Sequence, residues 1–217
     1  KIPNLIFYGN AGIGKTTLAR IIAEKTDMRL HKLNGTSATT ADIKAVVEET
    51  RTLAGVGGIL LYLDEIQYFN KKQQQTLLEY LENGTITLIA STTENPYFYI
   101  YNAILSRSTV FEFQGVEESD IEKALVRAAS ELSESYTLEI DDDALKHLAQ
   151  SSSGDVRKAL NSLEVSILAT APNEEQVVKI TLETAESVTM KKAFRHDRDG
   201  DSHYDVLSAF QKSVRGS

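Results

Sequence analysis

Leu5-Ile6-Phe7-Tyr8-Gly9-Asn10-Ala11-Gly12-Ile13-Gly14-Lys15-Thr16 is the stretch whose reading decides the fold. Leu5 to Tyr8 is a short apolar run of strand length, and a helical pattern follows the loop. Between them two glycines stand with four free positions and are followed by Lys and Thr, the spacing of a phosphate-binding loop in its required strand-to-helix context. Glycines let the backbone turn tightly, so that consecutive amides and the start of the helix point at an anion that the helix dipole also favours. On this reading Gly9, Asn10, Ala11, Gly12, Ile13 and Gly14 form the cradle for ATP together with Lys15, Thr16 and Thr17. Lys15 reaches the outer phosphates and Thr16 ligates magnesium. The plain alternative is a glycine-rich turn, and the pattern arises by accident in roughly one chain of this length in a hundred.

Moving outward, Ile59 to Leu63 is an apolar run that ends in Asp64-Glu65. A buried parallel strand of this kind delivers both acids to the carboxyl edge of the sheet, where the phosphates of a loop-bound nucleotide lie. Asp64 is placed to hold magnesium through water, and Glu65 to orient and deprotonate the attacking water. The next run, Ile86 to Ala90, ends at Ser91-Thr92-Thr93-Glu94-Asn95. Two readings of that cluster stand open: a hydroxyl or amide that positions the lytic water, or a polar turn and helix cap.

Short apolar runs alternate with helical patterns as far as Phe113, which is the arrangement of a parallel sheet covered by helices on both faces. Five strands are expected, at Leu5 to Tyr8, Arg29 to Leu33, Ile59 to Leu63, Ile86 to Ala90 and Thr109 to Phe113. Leu18, Ile21 and Ile22 read as one core-facing helical stripe, and Ile43, Val46, Val47 and Thr50 as another. A helix around Gln73 to Leu81 has Asn70 and Gln73 spaced as a capping box and Asn83-Gly84 as its stop. After Gly115 helical patterns follow one another at Ser119 to Leu132, Asp142 to Ser151 and Asp155 to Ala169 without a strong strand between them. The expected fold class is therefore α/β, a five-stranded parallel sheet with flanking helices over 1–114, followed by a small all-helical lid over 115–190 and a terminal segment over 191–217.

The 217 residues carry a formal net charge of −8 and no cysteine. The acidic balance argues against a surface devoted wholly to a polyanion, and the absence of thiols removes disulfide and thiolate chemistry. The chain starts at Lys1-Ile2-Pro3 with no leader pattern and has no apolar run near twenty residues, so a soluble fragment lacking its own start is expected, from a reducing cytoplasm and without a membrane partner.

At this point the residues resemble the AAA+ ATPases of the clamp-loader side. Leu105-Ser106-Arg107-Ser108 is similar to the Ser-Arg-Cys motif whose arginine enters the ATP site of the adjacent subunit. Gly154-Asp155-Val156-Arg157-Lys158-Ala159-Leu160-Asn161 is similar to the second sensor helix, which implies that Arg157 touches the phosphates from the lid of the same subunit. By the same resemblance Thr93 takes the first sensor position. A nearer resemblance is to the replication-associated recombination protein A family, related to the Werner helicase interacting protein. It rests on Asp64 to Gln74, on Asn83 to Pro96, and on Asp199-Gly200-Asp201-Ser202-His203-Tyr204-Asp205 running on through Lys212 to Ser217. Asn10-Ala11 stand where that family usually has two prolines, at free positions of the loop.

The resemblance implies a DNA-dependent ATPase acting at stalled or damaged replication forks. It further implies tetramers, association with single-stranded DNA-binding protein, and a nucleoid-associated place in the cytoplasm. The family's leading segment and its tetramer-forming carboxyl-terminal domain fall outside this chain, so a monomeric or weakly associated fragment is expected. Another clamp-loader-like subunit, a branch-migration motor, or a nucleotide-gated binding module are the alternatives. Lys71, Lys72 and the cluster Lys191, Lys192, Arg195 and Arg198 read either as phosphodiester contacts or as solvated faces. Tyr97, Phe98, Tyr99 and Tyr101 read either as stacking platforms for bases or as packing at a subunit contact or in the core. Asp197, Asp199, Gly200 and Asp201 fail the calcium-loop spacing, and His31, His147, His196 and His203 lack metal-ligand spacing.

Overall fold

A computed structural model describes residues 2–26, 28–49, 58–132 and 137–199, with the backbone alone over 191–199. The chain divides into two units, Lys1–Gly115 and Val116–Ser217.

The first unit holds β1 (Asn4–Tyr8), α1 (Lys15–Lys25), β2 (Arg29–Asn34), α2 (Thr40–Glu49), β3 (Ile59–Asp64), a 3-10 turn (Ile66–Tyr68), α3 (Lys71–Glu82), β4 (Ile86–Thr92), α4 (Pro96–Tyr99), α5 (Asn102–Leu105) and β5 (Ser108–Glu112). The five strands form one sheet in the order β2-β3-β4-β1-β5, and every pairing is parallel. All five expected strands are present within two residues of their expected ends. Because β4 lies between β1 and β3, the carboxyl ends of these three strands stand side by side.

The pleat sorts the strand residues to two faces. Ile59, Leu61 and Leu63 join Ile6, Leu88 and Ala90 against Ile43, Val46 and Val47 of α2 and Leu77 and Leu81 of α3. Leu60 and Tyr62 join Leu5, Phe7 and Ile89 on the other face, against Ala19 and Ala23 of α1. The expected α2 stripe is thus buried, apart from Thr50, which lies outside the described residues. The α1 stripe is corrected in part: Ile22 packs against the core, but Leu18 and Ile21 are 37% and 42% exposed, and Lys15, Ala19 and Ala23 are the buried positions. The phase of this helix is set by the loop before it, which turns Lys15 inward; residues four and eight further on then follow it to the sheet. Alanine there lets the helix lie close.

The capping box on α3 forms as the spacing implies. Gln73 N–H donates to Asn70 Oδ1 at 3.0 Å, Asn70 N–H donates to Gln73 Oε1 at 2.9 Å, and Gly84 after the helix has φ 69°.

The second unit is helical, with α6 (Glu118–Leu132), α7 (Asp142–Ser151), α8 (Val156–Ala169) and α9 (Leu182–Asp199) around a core of Ile121, Leu125, Leu148, Leu163 and Ile180. It also carries a two-stranded parallel ladder of β6 (Thr137–Ile140) and β7 (Val177–Ile180), so it is not composed of helices alone. Four-residue strands with alternating polarity are too brief to stand out against helical patterns on both sides. Residues 200–217, which include most of the last family-like stretch and His203, lie outside the described residues, as do the side chains of Lys191, Lys192, Arg195, His196, Asp197 and Arg198.

Candidate active site

Gly9, Gly12 and Gly14 all have positive φ, 141°, 70° and 94°, where a side chain is strained. At Gly9 an added Cβ would also lie 2.4 Å from the Phe113 carbonyl oxygen. At Gly14 the same Cβ direction is open, with no atom within 4 Å. Gly14 caps α1, and Leu18 N–H donates to its carbonyl at 2.9 Å. The loop therefore ends in a helix start beside open space, the geometry in which backbone amides receive an anion. Lys15 is buried, with its ammonium donating to the carbonyls of Gly9 and Asn10 at 2.6 Å each. Asn10, Ala11 and Thr17 are exposed around the loop, and Ile13 is buried beneath it.

The loop and the acids are brought together. Thr16 Oγ1 lies 2.8 Å from the Tyr62 hydroxyl, which lies 3.1 Å from Asp64 Oδ1 and 2.8 Å from Ser91 Oγ. Ser91 in turn donates to Asp64 Oδ1 at 2.5 Å. Tyr62 and Asp64, two residues apart, share the α1 face of the sheet, and Ser91 faces the same way from β4. Burial pushes the Tyr62 phenol up to about 12, and hydrogen bonds from its neighbours modify that only partly. Sequence reasoning missed Tyr62, and it placed Ser91 in the polar cluster without tying it to Asp64. The available signal was parity: Tyr62 stands two residues before Asp64 on a strand whose other members are aliphatic.

Glu65 follows in a left-handed conformation, φ 54°, which costs a non-glycine residue on the order of 1 kcal/mol and turns the strand end sharply. Its Oε2 accepts from Gln67 Nε2 at 2.5 Å and from Thr93 Oγ1 at 3.4 Å. Gln67 was also missed; its Oε1 is buried and lacks a hydrogen-bond partner. Gly35, at the end of β2, presses on the same turn. Its N–H donates to the Asp64 carbonyl at 2.7 Å, and a Cβ at Gly35 would sit 2.1 Å from the Glu65 carbonyl oxygen. Of the polar cluster after β4, Thr93 lies at Glu65, while Asn95 caps α4 by accepting from Tyr97 N–H at 3.1 Å. The cap reading thus holds for Asn95, and Thr93 is the hydroxyl of the cluster that stands beside Glu65.

Arg107 lies at the far edge. Ser108 pairs with Asn4 at the start of β1, and Asn4 Nδ2 donates to the Arg107 carbonyl at 3.2 Å, whereas the loop leaves β1 at its other end. Four strand steps of about 3.3 Å separate the two ends, roughly 13 Å before the loop begins. The guanidinium is held at 2.7 Å by Glu82 and at 2.9 Å by the Ala103 carbonyl. Tyr97, Phe98 and Tyr99 just before it are exposed, Phe98 by 82%, so these three do not pack in the core. Arg157, in the second unit, is exposed in the first turn of α8, whose start is capped by Asp155 accepting from Lys158 N–H at 2.9 Å.

Magnesium bound with nucleotide keeps most of its ligands as water and phosphate oxygens and asks one or two oxygens of the protein. Thr16 and Asp64, both within hydrogen-bonding distance of one buried phenol, fit that demand. Among the described residues no group of three or more His, Asp or Glu could hold a metal ion by itself, and no helix is long and apolar enough to cross a membrane.

A parallel sheet in this order, with a glycine-framed Lys-Thr loop after one strand and an acid pair two strands away, defines the P-loop class of α/β domain. Residues 5–116 match the ATPase family associated with various cellular activities (AAA), residues 134–215 match the AAA C-terminal domain, and the chain belongs to the AAA ATPases. The whole chain aligns at 45% identity with 51% of the replication-associated recombination protein A of Bacillus subtilis (strain 168). It aligns at 34% identity with 49% of the protein of that name from Escherichia coli (strain K12), and at 35% with 27% of the ATPase WRNIP1 of Dictyostelium discoideum. The chain thus spans about half the length of these bacterial relatives. Among solved structures, the Thermotoga maritima RuvB Holliday junction branch migration motor superposes with a TM-score of 0.70 at 24% identity, over 87% of this chain and 61% of that one, a likeness of fold.

Proposed function

We propose that this chain binds Mg-ATP in the loop from Gly9 to Thr17 and hydrolyses it with an arginine from a neighbouring copy. The observation that carries the reading is convergence: Thr16 reaches Asp64 through a single phenol, and Glu65 stands on the next residue with Thr93 against it. Lys15 exchanges its two loop carbonyls for the outer phosphates. Thr16 and Asp64 hold magnesium, which when bound neutralises charge building on the phosphate oxygens. Glu65 accepts the proton of the attacking water, and the Thr93 hydroxyl orients that water. Arg157 is the candidate for a further phosphate contact by its likeness to the second sensor helix alone. Arg107 acts on the neighbour's site, a reading supported by its place at the opposite edge of the sheet from its own loop.

The names of the relatives support a further step, in which the ATPase serves replication-associated recombination on DNA. The tetramer, the place in the cytoplasm at the nucleoid and the association with single-stranded DNA-binding protein rest on the family resemblance alone. Lys71 and Lys72, exposed at the start of α3, are candidates for phosphodiester contact. The lone chain associates weakly, so its turnover is slow; a supplied arginine accelerates P-loop hydrolysis about 10³ to 10⁵-fold.

The test is Glu65→Gln in the full-length protein. Nucleotide affinity is expected to stay at the wild-type value while steady-state phosphate release, measured with DNA ends, gaps and forks, falls by about 10² or more. Undiminished turnover in that variant refutes the assignment of Glu65.

A further inference from the structure

Three hydroxyls and one carboxylate run in series beneath the loop. Each hydroxyl has one proton to give and lone pairs to accept with, and a carboxylate oxygen only accepts. Asp64 Oδ1 accepts from Ser91 at 2.5 Å, which uses the Ser91 proton and leaves the serine oxygen free to accept from Tyr62 at 2.8 Å. The Tyr62 proton is then directed at Ser91, or at Asp64 itself at 3.1 Å, so the phenol meets Thr16 with a lone pair at 2.8 Å. In either arrangement Thr16 is the donor of the last bond. Its proton points into the chain and its own lone pairs point out of it. Tyr62 is 2% exposed on the face packed against α1, where a phenylalanine ring would fill the same space. A hydroxyl in such a place is costly unless bonded, and here it is bonded to three partners.

We propose that Tyr62, relayed through Ser91, is a positioning residue for magnesium: its oxygen accepts the hydrogen bond that Thr16 donates, so that the threonine lone pairs are left for the metal, and the same series pins one oxygen of Asp64 and leaves the other for a water on the metal. This rests on the Mg-ATP reading of the loop. It adds to that reading a polarity of hydrogen bonds that turns two separate ligands into one preset pair. Outer partners of this kind change metal affinity by about 10 to 100-fold when removed.

The experiment is a binding titration of the full-length protein with a fluorescent ATP analogue, run in EDTA and across a magnesium series, for wild type, Tyr62→Phe and Ser91→Ala. In EDTA all three are expected to bind alike. The magnesium midpoint is expected to rise about 10-fold in Tyr62→Phe and to move in the same direction in Ser91→Ala. A purely packing role for Tyr62 leaves the midpoint in place, since the ring is retained, and unchanged midpoints in the two variants overturn the proposal. Should Tyr62→Phe fail to fold by circular dichroism, Ser91→Ala, which removes a single oxygen, decides the matter alone. Wild type that binds no nucleotide under any condition brings down the Mg-ATP reading and the relay with it, a result distinct from normal binding with an unmoved midpoint.

Discussion

At Gly35, just after β2, the backbone lies so close to the Asp64-Glu65 peptide that a single methyl group would meet the Glu65 carbonyl oxygen at 2.1 Å. Both neighbours in that contact are main chain and cannot rotate away. Gly35→Ala is therefore expected to lower stability by about 1–3 kcal/mol, the range for overpacking a tight site, read as an earlier urea midpoint. It should also cut turnover of the full-length protein by about 100-fold, because displacing a general base by an ångström is that costly. A variant with wild-type midpoint and rate would show that the contact does not fix Glu65. Sequence exposes the loop and the acid pair because their chemistry demands fixed spacing along the chain. It hides Gly35, Tyr62 and Gln67, and the link from Ser91 to Asp64, which come from pairings between strands and from the turn at Glu65. A tyrosine in a strand or a glycine after one is unremarkable until the register places it.

Among the elements, α3 is the one whose beginning and end are both written locally. Asn70 and Gln73 satisfy each other's backbone donors, and Gln73 Nε2 also donates to the Ala38 carbonyl at 2.8 Å, tying the helix start to the segment before α2. Replacing Asn70 by Ala should cost about 1 kcal/mol, seen as a shifted unfolding midpoint with unchanged nucleotide affinity. No shift would mean that tertiary packing alone holds the helix start. The sheet strands are legible for a similar reason, since runs such as Leu60 to Leu63, buried on both faces, admit few other structures. The phase of α1 is not, because periodicity reports a spacing and leaves open which stripe faces inward; Lys15 settles that through the loop. The β6-β7 ladder escapes notice because Thr137 to Ile140 is brief and its partner lies some forty residues away.

For the molecule as a whole, hydrolysis is expected to need two copies. Full-length Arg107→Ala and Glu65→Gln should each be inactive alone, and mixing them should restore part of the phosphate release, since a site with an intact Glu65 can then meet an intact Arg107. Failure of the mixture to exceed either variant, with both shown to co-assemble, would put Arg107 outside the reaction.

The Glu82-held arginine and the nucleotide loop occupy opposite rims of one sheet. If Arg107 serves the loop of a neighbouring copy, as proposed, a twofold pairing that matches one rim with itself cannot serve both partners, and the copies would stack head to tail. Such a file is directional. Left open, it always has one terminal member whose nucleotide no neighbour attends; closed into a ring, it has none, and ring closure then becomes a switch on the number of working sites.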